Sequence, residues 1–422
     1  MSPGETAARP RDGSNWCIWA CVSHVSRLLN FLAKFRAAAS FTFCDSGNAT
    51  YSATYDCDQK YGTEYHERFK EFLKYMHRED LAGTATMTDI KGDRSKRPIE
   101  QSDPDMYLHV VERRKDGIVV RGARAHQSGA LQAHELLIMP TRAVREDEKD
   151  YAVGFAISTN ADGVIQICGR QPSDLRRLEG MEIDWGMPLY GGTESLVIFD
   201  DVFVPWDRVF LNGEWDFTRD LVVTFANYHR VIYALKCSLG DLLIGATAQI
   251  AEYNGLEKAS HIRSKLLDMV ILNETLWACG LAAASQGVQT PSGLWVDDPV
   301  LSNVVKFNVT RNMYEIARLA EEIAGGQLST QPSEKDYRNL ETRPYIEKYL
   351  KGVDGVPTEH RMRMFKLLEN LTYGQGATYS RFESMHGAGS PEAQKLSLAR
   401  DFDFEDLKKF ARETCGIEKK PE

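Results

Sequence analysis

The sequence predicts an α+β protein in which a central β domain lies between an N-terminal helical domain and a C-terminal helical bundle. Three observations support this prediction: a helical pattern of apolar residues around 65–80, short apolar strands punctuated by Gly, Pro and Asp after residue 84, and long helical stretches after about residue 216. The predicted domains span 1–83, 84–213 and 214–422. A chain of 422 residues is long enough for two or three such modules.

The composition limits the classes of function. Hydrophobic residues make up 43% of the chain and charged residues 26%, as in a soluble globular protein. The net charge of −9 argues against nucleic-acid binding, which needs clustered Lys and Arg. The eight cysteines are scattered and form no C-x-x-C pair, so we predict a reduced, cytoplasmic environment in which most of them pack as small apolar side chains.

The first 46 residues are atypical. They contain the apolar stretch "NWCIWACVSHVSRLLNFLAKF", which His24, Arg27 and Lys34 interrupt, so no uncharged run is long enough to predict a membrane span. We interpret the stretch as helical. Cys17 and Cys21 would share one face of that helix, and two thiols alone favour packing over a metal site.

The β domain is predicted from alternation and from turn residues. "MYLHVVERRKDGIVVRGARA" alternates on both sides of Lys115-Asp116-Gly117, which indicates a hairpin. Upstream, "YHERFKEFLKYMHRED" is predicted to be an amphipathic helix. Downstream, the bundle is predicted from helical stretches separated by short links. Those stretches cover 219–252, 258–287, 297–324, 359–380 and 391–413.

The stretch "YHRVIYALKC" at 228–237 carries the densest chemistry. On a regular helix, His229, Tyr233 and Lys236 share one face, whereas Cys237 is rotated by roughly 80° from His229. A neighbouring lysine is expected to favour the neutral imidazole, which suits a proton acceptor. The alternative is a core histidine with a lysine that extends to solvent, and the helix pattern alone favours that alternative.

The same stretch resembles the 4-hydroxybutyryl-CoA dehydratase / 4-hydroxyphenylacetate 3-hydroxylase family, within the wider acyl-CoA dehydrogenase fold. The resemblance runs from about Tyr51 to the C-terminus and is dense in "MTDIKGDRS", "RGARAHQSG", "YGGTESLVIFDDVFVP" and "ESMHGAGSPEAQ". It implies N-terminal helices, a central antiparallel β domain and a C-terminal helical bundle. It also implies FAD as cofactor and a homotetramer.

Dehydratases of this family add a [4Fe–4S] cluster, and this sequence departs from their ligand pattern. His229 matches the histidine ligand, but Lys236 occupies the cysteine position that follows it. A count without gaps places the other two cysteine positions at Ala37 and Phe41. An ammonium group cannot replace a thiolate ligand. We therefore predict no cluster and no metal site, with His229 as the only matched ligand.

The resemblance also implies the residues that bind the flavin. Ser128 keeps the hydroxyl of a family threonine in the segment that lines the flavin, although Ser-Gly is also an ordinary turn signal. The two glycines of "AGGQLSTQPS" resemble a segment that approaches FAD from a neighbouring subunit, and Gly325 equally fits a helix C-cap. The complete set of implied cofactor-binding residues is Thr88, Asp93, Arg94, His126, Gln127, Ser128, Gly325 and Gly326.

Two carboxyl groups match catalytic positions of the family, Glu194 in "GGTESL" and Glu383 in "RFESMHGAG". A buried glutamate whose pKa approaches neutrality can exchange protons at a carbon next to a carbonyl group. Most single glutamates are simply solvated, so these two assignments depend on the resemblance. The resemblance thus implies catalytic roles for Ser128, Glu194, His229, Tyr233 and Glu383, and Lys236 joins the candidate catalytic set because it shares the helix face of His229 and Tyr233.

The sequence therefore predicts a FAD-dependent enzyme that acts on a hydroxyacyl-CoA or related carbonyl compound by acid–base chemistry, without the cluster. One alternative is a two-component monooxygenase that receives reduced flavin from a separate reductase and hydroxylates phenols. A third alternative is an inactive paralogue. In each case the expected partners are small molecules and further copies of this chain, with neither nucleic acid nor membrane.

Overall fold

The computed structural model describes residues 38–168, 194–374, 376–377 and 381–417, with side chains from residue 42 onward. Cys17, Cys21 and Ala37 lie outside the described residues. The helices are α1 (Ala38–Tyr61), α2 (Tyr65–Arg78), α3 (Thr218–Val231), α4 (Cys237–Tyr253), α5 (Ser260–Ser285), α6 (Pro299–Ala324), α7 (Glu334–Arg338), α8 (Arg343–Tyr349), α9 (Thr358–Thr372), α10 (Glu383–His386), α11 (Pro391–Asp401) and α12 (Phe404–Thr414). A 3-10 helix, Ile232–Lys236, joins α3 to α4.

The strands form two four-stranded sheets and one small ribbon. They are β1 (Gly83–Thr86), β2 (His109–Arg113), β3 (Gly117–Ser128), β4 (Glu135–Ile138), β5 (Val153–Ser158), β6 (Val164–Cys168), β7 (Glu194–Pro205), β8 (Val209–Asn212), β9 (Val288–Gln289) and β10 (Trp295–Val296). The first sheet has the order β1-β4-β5-β8 and the second has the order β2-β3-β7-β6. β9 and β10 form the ribbon.

The two large sheets enclose one apolar core. Phe155 from the first sheet meets Phe199 from the second edge to face, with ring centroids 5.8 Å apart and an interplanar angle of 82°. Leu136, Val120 and Val202 lie in the same buried cluster. The paired sheets thus provide a rigid base from which the ends of β3 and β7 project toward the helical bundle.

The N-terminal helices cover the outer face of the first sheet. Phe69, Phe72 and Met76 of α2 are buried against Leu137 and Phe210. These three α2 residues recur at 3/4 spacing, and the predicted helix over 65–80 is confirmed as Tyr65–Arg78. α1 packs on the same layer and continues toward the bundle, where its Asp45 is almost completely buried.

The C-terminal bundle has its own core, formed by α4, α5, α6 and α9. Leu243, Met269, Met313 and Phe365 are fully buried there, one from each of these helices. The predicted fold class, α+β with acyl-CoA dehydrogenase-like architecture, is confirmed, as is the hairpin at Lys115-Asp116-Gly117, where β2 and β3 pair antiparallel.

Three predictions about elements were wrong in detail. β1 pairs with β4 in parallel, not antiparallel, because the chain passes through β2 and β3 of the other sheet before it returns. The predicted helix over 219–252 is interrupted by the 3-10 segment Ile232–Lys236. The helices predicted over 359–380 and 391–413 are shorter: the first ends at Thr372, and the second is split before Asp403, whose side chain caps α12.

Tight packing explains where the 3-10 segment lies. A Cβ added to Gly280 of α5 would overlap the Cβ of Ala234, so the two backbones approach more closely than side chains normally permit. This close approach fixes the 3-10 segment against α5, and with it the side chains of Tyr233 and Lys236.

Within the described residues, two helical spans are long and apolar enough to cross a membrane, Trp215–Tyr253 and Ser260–Ser285. In the first span, 61% of the apolar 18-residue stretch is buried inside the protein, as expected for a core helix. In the second span, 28% of the corresponding stretch is buried, and α5 exposes Leu267 and Ile271.

A matched pair of glycines in α4 tests the packing of the bundle. Gly240 is buried, and a Cβ there would overlap the carboxamide of Asn273, which donates to the Cys237 carbonyl oxygen at 2.9 Å. Gly240→Ala should therefore lower the free energy of unfolding by about 1–3 kcal/mol. Gly245 is exposed and has free space around it, so Gly245→Ala should raise it by about 0.5–1 kcal/mol. Urea unfolding of both variants checks the prediction, and equal effects would contradict it.

Candidate active site

The candidate active site lies where the β domain meets the helical bundle. Ser128 ends β3 and is paired in register with Glu194, the first residue of β7. Tyr233 and Lys236 come from the 3-10 segment, and Glu383 begins α10. The structure therefore brings together residues that lie more than 250 positions apart in the sequence.

Glu194 is held by a hydroxyl group in a partly buried position. The Ser128 Oγ donates to the Glu194 carboxylate, with the two carboxylate oxygens at 2.7 and 2.9 Å. Burial raises the pKa of Glu194 to about 7; the negative charge of Glu383 adds to the rise, and the Ser128 hydrogen bond opposes it. A carboxyl group with this pKa can both accept and release a proton near neutral pH.

Glu383 accepts from two donors. The Tyr233 hydroxyl donates to Glu383 Oε1 at 2.6 Å, and the Lys236 ammonium contacts Glu383 Oε2. Tyr233 is buried, and its pKa is raised well above the ordinary value, first by burial and then by the charge of Glu383. The phenol therefore stays protonated and can serve as a proton donor beside a carboxylate.

The close approach of Tyr233 and the chain after α10 requires a glycine. A Cβ at Gly387 would overlap the Tyr233 hydroxyl. Arg230, which is buried behind the site, donates from Nε to the Ala388 carbonyl oxygen at 3.3 Å and from Nη1 to Asn303 Oδ1 at 2.5 Å. These contacts fix the end of α10, so that Glu383 has a defined position relative to Tyr233.

His229 has a different charged neighbour from the one predicted. Its Nδ1 lies 2.8 Å from Asp45 Oδ2, and the Lys236 ammonium is bound by Glu383 instead. The contact that the structure shows for His229 is thus with the Asp45 carboxylate, and Lys236 pairs with Glu383. The ring stacks on Phe225 at 5.0 Å and meets Tyr233 edge to face at 5.6 Å, so Nδ1 is committed to Asp45 and only Nε2 remains for a ligand.

The described residues do not fit a [4Fe–4S] cluster. Cys237 is completely buried in the bundle core, beyond the 3-10 segment, and Cys44 is exposed on α1. Among the described residues, no group of three or more His, Cys, Asp or Glu side chains is placed to hold a metal ion. A cluster needs several thiolates that converge, and around His229 the groups in place are a carboxylate and aromatic rings.

Part of the implied flavin segment is assembled in one place. The Thr88 carbonyl oxygen accepts from the Ala125 N–H at 2.9 Å and from Gln127 Nε2 at 3.3 Å, which ties the loop before β2 to the end of β3. His126 lies at a bulge between β3 and β7 and has a φ of +56°. This strained position turns its side chain away from the regular strand pattern.

Positive charge gathers near His126. Partial burial lowers the pKa of His126, and the nearby charges of Lys91 and His386 lower it further. Burial, and then the charges of Arg94 and Arg142, lower the pKa of Lys91. These three basic side chains form a cationic corner that is suited to an anionic group such as a phosphate. This corner adjoins the Ser128–Glu194 pair, so the segments around Thr88 and His126–Ser128 fit a phosphate-bearing cofactor.

Of the other implied cofactor residues, Arg94 lies near Lys91, whereas Asp93, Gly325 and Gly326 are not brought to this corner. Asp93 is exposed and accepts from the Ser95 hydroxyl at 2.7 Å, so it caps its own turn, and Arg94 is exposed beside it. Gly325, with a φ of +70°, ends α6, and Gly326 follows. Since α6 also carries a residue of the site, Lys306, the helix rise separates the two glycines from it by roughly 28 Å. Within one copy of the chain they do not line the candidate site.

Sequence reasoning missed two residues that touch the catalytic candidates. Asp45 binds His229 from 184 positions away, and no local pattern connects them. Lys306 is completely buried in α6, where a single lysine interrupts the apolar run "NVVKFNV". That interruption could have predicted a functional or structural role for Lys306, because lysine is seldom buried without a specific partner.

Comparisons with known proteins place this geometry in a family. The 4-hydroxyphenylacetate 3-hydroxylase N-terminal family model matches residues 37–211, and the C-terminal model matches residues 218–416. The chain belongs to the 4-hydroxyphenylacetate 3-hydroxylase family. The resemblance drawn from the sequence is therefore confirmed.

Several relatives in this family are enzymes of two kinds. The 4-hydroxybutyryl-CoA dehydratase/vinylacetyl-CoA-Δ-isomerase of Clostridium aminobutyricum is 48% identical over 395 residues, which cover 90% of this chain and 81% of that protein. A solved archaeal 4-hydroxybutyryl-CoA dehydratase from N. maritimus has a TM-score of 0.89 and 45% identity, and the match covers 94% of this chain and 80% of the other. The oxygenase component of 4-hydroxyphenylacetate 3-monooxygenase from Thermus thermophilus is 29% identical over 365 residues, covering 85% of this chain and 74% of that protein.

The raised pKa of Glu194 predicts a pH-dependent stability. Below about pH 4.5 the carboxyl group is protonated in both folded and unfolded chains, whereas above about pH 7 its burial as a carboxylate costs free energy. Relative to the wild type, Glu194→Gln should gain about 1–3 kcal/mol of unfolding free energy as pH rises between these values. Urea unfolding at several pH values measures it. Exposed Glu392→Gln should show no such trend; a flat difference for Glu194→Gln would contradict the burial of its charge.

Proposed function

We propose that this protein is a FAD-dependent enzyme that moves protons on an acyl-CoA thioester, a hydroxyacyl-CoA or a related carbonyl compound. The observation that carries the proposal is the pair of carboxyl groups at one site, held in different environments. Glu194 has a pKa of about 7 beside a hydroxyl group, and Glu383 is bound by a phenol and an ammonium. Two carboxyl groups whose environments differ in this way can divide the roles of base and acid.

The reaction that these groups support best is the shift of a double bond in a β,γ-unsaturated acyl-CoA. The Glu194 carboxylate accepts the proton from the carbon next to the thioester carbonyl. The double bond moves toward that carbon, and the Tyr233 hydroxyl, in contact with Glu383, delivers a proton to the far carbon. One proton leaves and one arrives, so that the substrate and the product are isomers and no net oxidation occurs.

FAD would lie beside the cationic corner, near Thr88 and the segment His126–Ser128. When bound, it would supply an electron acceptor that eases removal of a weakly acidic proton. Support for FAD comes from the solved oxygenase component of 4-hydroxyphenylacetate 3-monooxygenase in complex with FAD, which has a TM-score of 0.81 and 26% identity to this chain. Because the Ser128 hydroxyl donates its single proton to Glu194, its part would be to hold that carboxylate beside the flavin and the thioester.

Dehydration of a hydroxyacyl-CoA requires an additional group, because the leaving hydroxyl must be activated. The described residues lack a ligand set for a cluster. We therefore assign the proton transfers to Glu194, Tyr233 and Glu383, and derive no step for loss of the hydroxyl group. His229, held by Asp45, remains as a donor or acceptor through Nε2.

A second candidate function is a two-component monooxygenase. It is favoured by the lack of converging thiolates among the described residues and by relatives such as the FADH2-dependent monooxygenase TftD of Burkholderia cepacia, which is 23% identical over 369 residues. In that case a separate reductase would supply reduced flavin, and a phenol would be the substrate. Oxygen consumption with reduced FAD and a phenol, but no turnover of an acyl-CoA, would favour this candidate.

The proposed assembly and location follow the same family. We propose a homotetramer in the cytoplasm. The apolar residues that α5 exposes, such as Leu267 and Ile271, would be covered in a tetramer.

Replacement of Glu383 tests the proposed reaction. Glu383→Gln keeps an acceptor for Tyr233 but removes the charge bound by Lys236, so isomerisation of vinylacetyl-CoA should fall by a factor of about 10²–10⁴. Bound FAD, measured by absorbance after gel filtration, should be unchanged. Isomerisation is followed by the absorbance of the conjugated thioester, and incorporation of solvent deuterium reports the proton transfers.

The matched control is Glu392→Gln, an exposed glutamate on α11 that should leave the turnover number unchanged. Wild-type turnover in Glu383→Gln would remove Glu383 from the mechanism. Wild-type protein that contains FAD but turns over no unsaturated or hydroxylated acyl-CoA would contradict the proposed function.

A further inference from the structure

We propose that Lys306 is a positioning residue of this site: it holds the backbone that carries Glu383 and places its ammonium against the Tyr233 ring. The inference rests on the proposed use of the Tyr233–Glu383 pair in proton transfer. Lys306 would affect proton transfer indirectly, through its contacts with Tyr233 and with the backbone of α10.

The surroundings of Lys306 are unusual for a lysine. It lies on α6 with no exposed surface, and burial of an ammonium group is costly unless it makes specific contacts. Its Nζ donates to the Ser384 carbonyl oxygen at 2.6 Å, one residue after Glu383. The same Nζ lies 4.5 Å from the centroid of the Tyr233 ring, within the range of a cation–π contact.

Two buried cations together hold α10 and the residues that follow. Lys306 binds the Ser384 carbonyl near its start, and Arg230 binds the Ala388 carbonyl just after its end. α10 is a short helix of four residues that follows the π-helical residues Arg381 and Phe382, and these two carbonyl contacts tie it to the bundle. Removal of Lys306 should therefore loosen the segment that positions Glu383.

The charge of Lys306 has a second effect. A cation at the face of a phenol stabilises the developing phenolate, and so makes Tyr233 a better proton donor. Burial lowers the pKa of Lys306 to about 7; Lys236 and Arg230 lower it too, while Glu383 opposes them. The ammonium is therefore lost as pH rises through about 7, and the help that it gives to Tyr233 is lost with it.

The first measurement does not depend on activity. Hydrogen–deuterium exchange of the peptide covering 381–390 is compared in the wild type, Lys306→Met and Lys366→Met. Lys366 is the matched control, because it is also a buried lysine of the bundle, on α9, and binds Glu369 at 3.5 Å. We expect at least about tenfold faster exchange in this peptide for Lys306→Met, corresponding to about 1.4 kcal/mol of local opening. We expect no change for Lys366→Met.

The second measurement is the pH profile of vinylacetyl-CoA isomerisation. At pH 6 the turnover number of Lys306→Met should be about tenfold below the wild type, with KM within about twofold, because the variant loses both the hydrogen bond to Ser384 and the cation at the Tyr233 ring. Above pH 8 the ratio of the two turnover numbers should narrow but not reach one, because the neutral Lys306 amine still donates to the Ser384 carbonyl oxygen in the wild type and methionine does not. A residue with a purely structural role would lower turnover by the same factor at every pH. Lys306→Gln, which keeps an N–H donor without the charge, serves if the methionine variant does not fold.

The outcomes separate the two proposals. Unchanged exchange at 381–390 in Lys306→Met overturns the positioning role, whatever the activity. Faster exchange with a pH-independent ratio of turnover numbers overturns the effect on Tyr233. Faster exchange in a protein whose wild type isomerises no acyl-CoA leaves Lys306 as the anchor of α10 and overturns the proposed function instead.

Discussion

The carboxylate of Glu383, bound between the Tyr233 hydroxyl and the Lys236 ammonium, is the interaction on which the rest of the site depends. It joins α10 to the 3-10 segment, two elements far apart in the sequence. It gives the buried ammonium a partner of opposite charge, and its charge also raises the pKa of Glu194 across the site. The same contact therefore organises both the structure and the proton chemistry.

That contact is possible only because the bundle brings backbones unusually close. Gly280 lets α5 approach Ala234 of the 3-10 segment, and Gly387 leaves room for the Tyr233 hydroxyl. Arg230 and Lys306, both buried, hold the chain on either side of α10 by its carbonyl groups. Their hydrogen bonds to these carbonyl groups compensate in part for the cost of burying two cations. The result is a fixed position for Glu383, as is common where catalytic groups must be held in place.

Much of the architecture follows from local patterns in the sequence. The spacing of Phe69, Phe72 and Met76 predicts α2, and the Asp-Gly turn predicts the hairpin of β2 and β3. The 3-10 segment could not be predicted in this way; it packs closely against α5 at Gly280, and helix periodicity does not record such a tertiary contact. The parallel pairing of β1 with β4 likewise depends on a connection through the second sheet.

The candidate site could be predicted in part. Family resemblance identified Ser128, Glu194, Tyr233 and Glu383, and the shared helix face added Lys236; the structure gathers these residues in one place. Helix geometry suggested Lys236 as the neighbour of His229, but Asp45 reaches the imidazole from α1 and no spacing within α3 reveals it. Lys306 was overlooked for a different reason: a lone lysine in an apolar helix is visible in the sequence, but its partners Ser384 and Tyr233 are not.

Beside Tyr233 lie a bound ammonium and carboxylate, and the described part of the chain offers no converging thiolates for an iron–sulfur cluster. The most direct test is the iron and acid-labile sulfide content of protein purified without oxygen, measured alongside its flavin. We expect the purified protein to contain flavin, with iron and sulfide contents far below those of one cluster for each chain. About four irons and four sulfides for each chain, lost together in His229→Ala, would contradict it.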